Sequence, residues 1–215
     1  MSNITLSPAA TTIAGLLLEI EAIRLSPSQP FTWASGWKSP IYCDNRLSLS
    51  FPAVRSYIKE QLVANIQKQF PEVQAIAGVA TAGIPQGALV AEAMDLPFLY
   101  VRSKPKGHGM ENLIEGKATP GQKVVVIEDL ISTGGSSLKA VEALRSAKTE
   151  VLGMAAIFTY GFPVAQQNFE DAKVDLMVLS DYATMLEEAV GSEYVTEDQR
   201  DLLSTWREAP DQWQP

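Results

Sequence analysis

Apolar residues along the chain follow two different rhythms. Up to about residue 66 they recur at three- and four-residue spacing. Ile13, Leu16, Leu17, Ile20 and Ile23 share one face of a helix predicted over 11–23. Val54, Ile58, Leu62 and Ile66 recur every four residues and predict a second helix, with Ser50 as its N-cap and Pro52 in its first turn. From residue 73 the rhythm changes. Short unbroken apolar runs at 73–79, 97–101, 124–127, 151–158 and 174–179 read as strands. Helical periods at 83–94 and 135–147 lie between them, the latter with Leu138, Val141 and Leu144 facing inward.

Unbroken apolar strands separated by helices predict an α/β fold with a parallel sheet covered on both faces. On such sheets ligands bind at the carboxyl ends of the strands. Two segments break the alternation. Residues 31–46 follow a Ser/Pro-rich stretch and are rich in Ser, Gly, Pro and aromatics, so they read as short strands and turns. Residues 102–121 hold four glycines and two prolines with no apolar period, and a loop of this length inside a compact domain is expected to be functional or disordered.

Composition narrows the class. The chain has 215 residues, is 46% apolar and carries a net charge of −8. It reads as one globular domain. Nine acidic residues and two arginines fall after residue 180, so the acidity belongs mainly to the C-terminal segment. With no basic stripe, nucleic acid is not an expected partner. Cys43 is the single cysteine, which excludes an internal disulfide and fits a reducing cytoplasm. No signal peptide or membrane-length apolar run is read, so no membrane partner is expected.

The most informative stretch is Val124-Val125-Val126-Ile127-Glu128-Asp129-Leu130-Ile131-Ser132-Thr133-Gly134-Gly135-Ser136. A buried strand ends in two adjacent carboxylates, and a hydroxyl- and glycine-rich turn leads into a helix. Glycines allow close backbone approach, and amides at a helix N-terminus favour an anion. This describes a phosphate cradle, although neither GxxxxGK[ST] nor GxGxxG is present. Carboxylates beside a bound phosphate need partners of their own, such as vicinal sugar hydroxyls, a divalent cation or a developing positive charge. A ribose 5-phosphate meets these demands together.

The segment resembles the phosphoribosyl pyrophosphate (PRPP) motif of the type I phosphoribosyltransferases. Phe31-Thr32-Trp33-Ala34-Ser35-Gly36-Trp37-Lys38-Ser39-Pro40-Ile41-Tyr42 and Val101-Arg102-Ser103-Lys104-Pro105-Lys106-Gly107-His108-Gly109 are similar to signatures of the orotate-specific branch of that family. The resemblance implies a parallel sheet flanked by helices, a small hood and a flexible catalytic loop in one domain over 1–215. The hood is expected mainly from about 1–48 with the C-terminal helices, and the core from about 49–180. It implies transfer of ribose 5-phosphate from PRPP to orotate, giving orotidine 5′-monophosphate and pyrophosphate, a step of pyrimidine (UMP) biosynthesis. Mg²⁺ is the implied cofactor, held mainly through PRPP. A homodimer sharing the loop across subunits is the implied assembly.

By the same resemblance, Lys106, Arg102, His108 and Asp129 carry the chemistry. Arg102, Lys106 and His108 contact the diphosphate. PRPP is also held by Glu128, Asp129, Leu130, Ile131, Ser132, Thr133, Gly134, Gly135 and Ser136. Ser132 and backbone groups of 35–42 recognise orotate, and 78–85 matches a pyrophosphate loop in position. The sequence departs from some members at anion contacts. Ala34, Thr81-Ala82 and Ser103 stand where those members have Lys, Tyr-Lys and Lys, and no arginine lies near Tyr160 in the sequence. Backbone amides and Lys38, Arg46 or Lys104 are the expected compensation. The alternatives are a purine or uracil enzyme of the same family and a non-catalytic PRPP sensor.

Overall fold

The computed structural model describes residues 4–33, 36–104 and 113–213. Its strands are β1 (Ile4–Leu6), β2 (Ile23–Leu25), β3 (Phe31–Thr32), β4 (Lys38–Ser39), β5 (Ile41–Cys43), β6 (Ala75–Val79), β7 (Phe98–Val101), β8 (Ile114–Glu115), β9 (Lys123–Ile131), β10 (Glu150–Thr159) and β11 (Leu176–Asp181). Its helices are α1 (Ala10–Glu19), α2 (Pro52–Gln69), α3 (Gly83–Ala93), α4 (Gly135–Ser146), α5 (Pro163–Ala172), α6 (Tyr182–Gly191) and α7 (Glu197–Glu208).

Seven strands form one sheet in the order β1-β11-β10-β9-β6-β7-β8. All neighbours pair parallel except β8, which runs antiparallel to β7 at the edge. Side chains alternate between two cores, as the pleat demands. Val125 and Ile127 of β9 face the core under α1, α2, α3, α6 and α7, and Val124 and Val126 face the one under α4 and α5. Both faces are thus covered, which is why the strands read as unbroken apolar runs. The stripe Val54, Ile58, Leu62, Ile66 is buried along α2.

The structure corrects four boundaries. Helix α1 ends at Glu19, and Ile23 belongs to β2, where it pairs with Cys43. Ser50 does not cap α2. It closes a 3-10 turn over Asn45–Ser50, and Phe51 precedes the helix with no side-chain cap. Residues 102–121 are not all loop: β8 pairs with β7, and the Arg102 amide donates to the Leu113 carbonyl at 2.8 Å. Strand β9 does not end at Ile127 but runs through both carboxylates to Ile131, because β10 pairs alongside it as far as Thr159.

Residues 4–6 belong to the large sheet, whereas residues 23–43 form two small antiparallel pairs, β2–β5 and β3–β4. No helix among the described residues is long and apolar enough to cross a membrane.

Candidate active site

Strands β6, β7 and β9 are parallel, so their carboxyl ends share one edge of the sheet. Three segments leave that edge: 80–82 into α3, 102–113 between β7 and β8, and 132–134 into α4. The middle of the second, with Lys106 and His108, lies outside the described residues, as do Ala34 and Ser35.

Glycine sets how closely these segments approach. Gly134 has φ +80°, and a Cβ there would lie 2.7 Å from the Phe169 ring. It therefore turns the chain in the left-handed region, where glycine alone is unstrained. The turn is held from α5, whose Asn168 side chain donates to the Thr133 carbonyl at 2.9 Å. Thr133, Gly135 and Ser136 are exposed there, and no side-chain hydrogen bond caps the start of α4, which leaves its first amides for an anion. At the other loop, the Ile127 carbonyl oxygen leaves no room for a Cβ on Gly83. The start of α3 is pressed against β9 beside Glu128.

The two carboxylates are not equivalent. Glu128 is buried, and its oxygens accept from the Asp129 amide at 3.0 Å and from the Ser137 hydroxyl at 2.9 Å. It ties the strand end to α4. Asp129 is half-buried, and its backbone carbonyl accepts from Asn45 Nδ2 at 2.7 Å. Asn45 thereby fixes the backbone from which the Asp129 carboxylate projects. Burial raises the Asp129 carboxyl, opposed by a hydrogen bond with Glu128 and by the charge of Arg46. Burial, then the charge of Asp129, push Glu128 up to about 8 from an ordinary 4.5.

Between pH 4.5 and 8 the folded chain keeps a proton on Glu128 that the unfolded chain has released. Stability therefore falls as pH rises through this window. Glu128→Gln does not titrate; its side-chain oxygen can still accept from the Asp129 amide, and its nitrogen would donate to a Ser137 hydroxyl that turns from donor to acceptor. Its melting temperature is expected to equal wild type near pH 4 and to exceed it at pH 8, by ~2–4 °C per kcal/mol regained. Thermal melts of the ligand-free protein at the two pH values check this.

Two cavities open at this edge. One of about 390 Å³ lies between the end of β6, the segment after β7 and the first turns of α4, through Val79 and Ala80, Arg102 and Leu113, and Ser136 and Lys139. The other, about 280 Å³, lies under the small strands, lined by Thr32, Trp33, Tyr42, Cys43, Leu130, Ser132 and Tyr160. Its walls are aromatic: Trp33 and Tyr160 stand 5.3 Å apart, ring to ring. Burial holds the Tyr160 phenol well above its ordinary range, so it lines the pocket uncharged.

Of the cations read from the sequence, Arg102 pairs with Glu115 at 3.1 Å and Arg46 with Asp44 at 2.6 Å. Lys38 donates to Thr32 of the aromatic pocket at 2.8 Å. Glu128, Asp129, Leu130, Ile131, Ser132, Thr133, Gly134, Gly135 and Ser136 all fall on the one strand end, turn and helix start. Sequence reading missed Asn45, Asn168 and Arg207. Arg207 comes from α7 and donates from Nε to the Tyr160 carbonyl at 3.0 Å and from a terminal nitrogen to the Gly161 carbonyl at 2.8 Å. Nothing in the local sequence around Tyr160 signals an arginine 47 residues away.

The chain is similar to known proteins along most of its length. The phosphoribosyl transferase domain family matches residues 53–194. An orotate phosphoribosyltransferase of Cytophaga hutchinsonii is 60% identical over 201 residues, 94% of this chain and 96% of that one. One from Porphyromonas gingivalis is 59% identical over the same shares. Among solved structures, the orotate phosphoribosyltransferase of Aeropyrum pernix superposes with a TM-score of 0.74 at 29% identity, covering 86% of this chain and 99% of that one. The Leishmania donovani UMP synthase superposes at 0.78 and 26% identity over 95% of this chain, which spans 43% of that longer protein. With this sheet order, a glycine turn after paired carboxylates and relatives at this identity, the chain belongs to the orotate phosphoribosyltransferases of the phosphoribosyl transferase family.

Proposed function

We propose that the chain transfers ribose 5-phosphate from PRPP to orotate, releasing pyrophosphate and forming orotidine 5′-monophosphate. The observation that carries this reading is the carboxylate pair Glu128–Asp129 near the end of β9, before an uncapped, glycine-turned helix start and beside an aromatic pocket that reaches Ser132. The 5-phosphate would sit on the amides and hydroxyls of 132–136. The flat base would enter the aromatic pocket, and the diphosphate the larger cavity next to Arg102. Ser132 borders the aromatic pocket and begins the cradle, so base and sugar phosphate meet there.

In this reaction the C1–oxygen bond to pyrophosphate breaks while a ring nitrogen of orotate bonds to C1 and gives up its proton to solvent. Positive charge builds on the ribose, and negative charge on the leaving group. Asp129 meets the first through the ribose hydroxyls and through space. Arg102, Lys106 and His108 meet the second, acting as preorganised partners of charge that develops only in the transition state. Arg102 would exchange Glu115 for the diphosphate. That pair is half-buried and still open to solvent, so breaking it costs little.

Mg²⁺, when bound, neutralises charge on the diphosphate. Asp129, half-buried beside the cradle, would be the side chain nearest to hand for a metal carried mainly by the substrate. Glu128 already accepts from two protein donors, which leaves Asp129 as the more available carboxylate. Two copies of the chain, each lending its loop to the other's site, complete the proposed assembly.

The test is pyrophosphate release from PRPP with orotate, uracil, adenine and hypoxanthine in turn, each with and without Mg²⁺. Release with orotate and Mg²⁺, at least tenfold above every other base, is expected. Release with a purine or uracil instead would reassign the substrate, and PRPP binding without turnover would make the chain a sensor.

A further inference from the structure

Helix α7 supplies nothing to the chemistry above, yet two of its side chains brace the aromatic pocket from behind. Both hydrogen bonds of Arg207 fall on the Tyr160–Gly161 turn. Trp206, fully buried, meets Trp33 at 5.6 Å and Tyr160 at 5.9 Å between ring centroids. The far side of the same turn is tied to the cradle. The Tyr160 amide and the Thr159 hydroxyl both donate to the Ile131 carbonyl, at 3.1 and 3.2 Å, and the Gly161 amide donates to the Thr159 hydroxyl at 3.1 Å. Ile131 immediately precedes Ser132. A continuous polar path therefore runs from the Arg207 guanidinium through the turn to the first residue of the cradle.

The helix does not need Arg207 to stay docked. Tyr182 donates its hydroxyl to the Leu203 carbonyl at 2.9 Å, and Leu203 and Trp206 are buried. Thr196 and Gln199 form a capping box, and Arg200 pairs with Glu187. What Arg207 adds is a rigid planar fork satisfying two adjacent carbonyls at once, a geometry that a lysine ammonium does not reproduce. A Cβ on Gly161 (φ +66°) would approach the guanidinium to 2.9 Å, so the fork and the bare turn fit each other.

We propose that Arg207 is a positioning residue for the base: it fixes the Tyr160–Gly161 turn, and through it the spacing between the aromatic wall and Ser132. The inference rests on reading the aromatic pocket as the base subsite. Removing Arg207 should then weaken orotate use while leaving PRPP, held by the cradle and the larger cavity, nearly untouched.

Steady-state kinetics of the full-length enzyme, varying orotate and PRPP separately, test this on Arg207→Ala, Arg207→Lys and Tyr42→Leu. Arg207→Ala is expected to raise the KM for orotate tenfold or more, the scale of losing a charge-assisted hydrogen bond. The KM for PRPP should stay within twofold, and Arg207→Lys should recover part of the loss. If Arg207→Ala does not fold, the same split in Arg207→Lys carries the test. A rise in both KM values together, or in neither, overturns the proposal. If Tyr42→Leu raises the orotate KM and the Arg207 variants do not, the positioning role fails and the base subsite stands. If Tyr42→Leu leaves the orotate KM unchanged, the base-subsite reading itself fails and the proposal with it.

Discussion

Asp129→Ala is expected to lower kcat by roughly 10²–10³-fold, the scale of losing one preorganised partner of a developing charge. The structure gives the reason for choosing Asp129 over its neighbour. Glu128 is buried and holds the strand end to α4 through Ser137, so its loss would disturb the frame itself. Asp129 is half-buried at the carboxyl edge, on a backbone that Asn45 holds independently of its carboxylate. Positive charge on the ribose exists only in the transition state, so kcat should fall further than the KM for PRPP rises. Asp129→Asn separates two roles: it keeps an acceptor for a sugar hydroxyl and loses the charge. A kcat for Asp129→Asn close to wild type would show that hydroxyl binding alone is at work.

Lys106→Ala is expected to lower kcat by a similar roughly 10²–10³ factor. Lys106 lies outside the described residues, but its segment is anchored at both ends. The chain leaves β7 and returns at β8, joined where the Arg102 amide meets the Leu113 carbonyl. Both anchors border the cavity of about 390 Å³ assigned to the diphosphate. A cation there is worth most as the leaving group gains charge, so the effect should again fall mainly on kcat. Mixing Lys106→Ala with Asp129→Ala tests whether loops cross between subunits, since one site of each mixed dimer would then be intact. Mixed dimers verified by tag pull-down yet without recovered activity would exclude sharing. Unchanged kcat in Lys106→Ala would remove the residue from the chemistry.

The sheet was legible in the sequence because its strands are buried on both faces. Val124, Val125, Val126 and Ile127 have no polar neighbour to break the run. The stripe from Val54 to Ile66 was legible for a similar local reason, since four-residue spacing on one helix face needs no knowledge of the partner. The true end of β9 was not. Glu128 and Asp129 look like the end of an apolar run, and only pairing with β10 carries the strand to Ile131. Strand β8 was hidden because two residues paired at a sheet edge leave no period to detect. In the site, the cradle was legible because its carboxylates, hydroxyls and glycines are contiguous. The roles of Asn45, Asn168 and Arg207 are products of tertiary placement. Each acts on a backbone carbonyl 35 to 84 residues away, and a carbonyl carries no sequence signal.

The edge strand β1 has a consequence for how the molecule is made. Ile4, Thr5 and Leu6 pair with Leu176, Met177 and Val178. The first described strand to leave a ribosome thus waits for a partner about 170 residues behind it, on the order of 10–30 s at ordinary synthesis rates. Ile4 and Leu6 are about 40% exposed even when paired, so little apolar burial holds β1 in place. The edge should close late and reopen first, and its amides should lead hydrogen exchange across the seven strands.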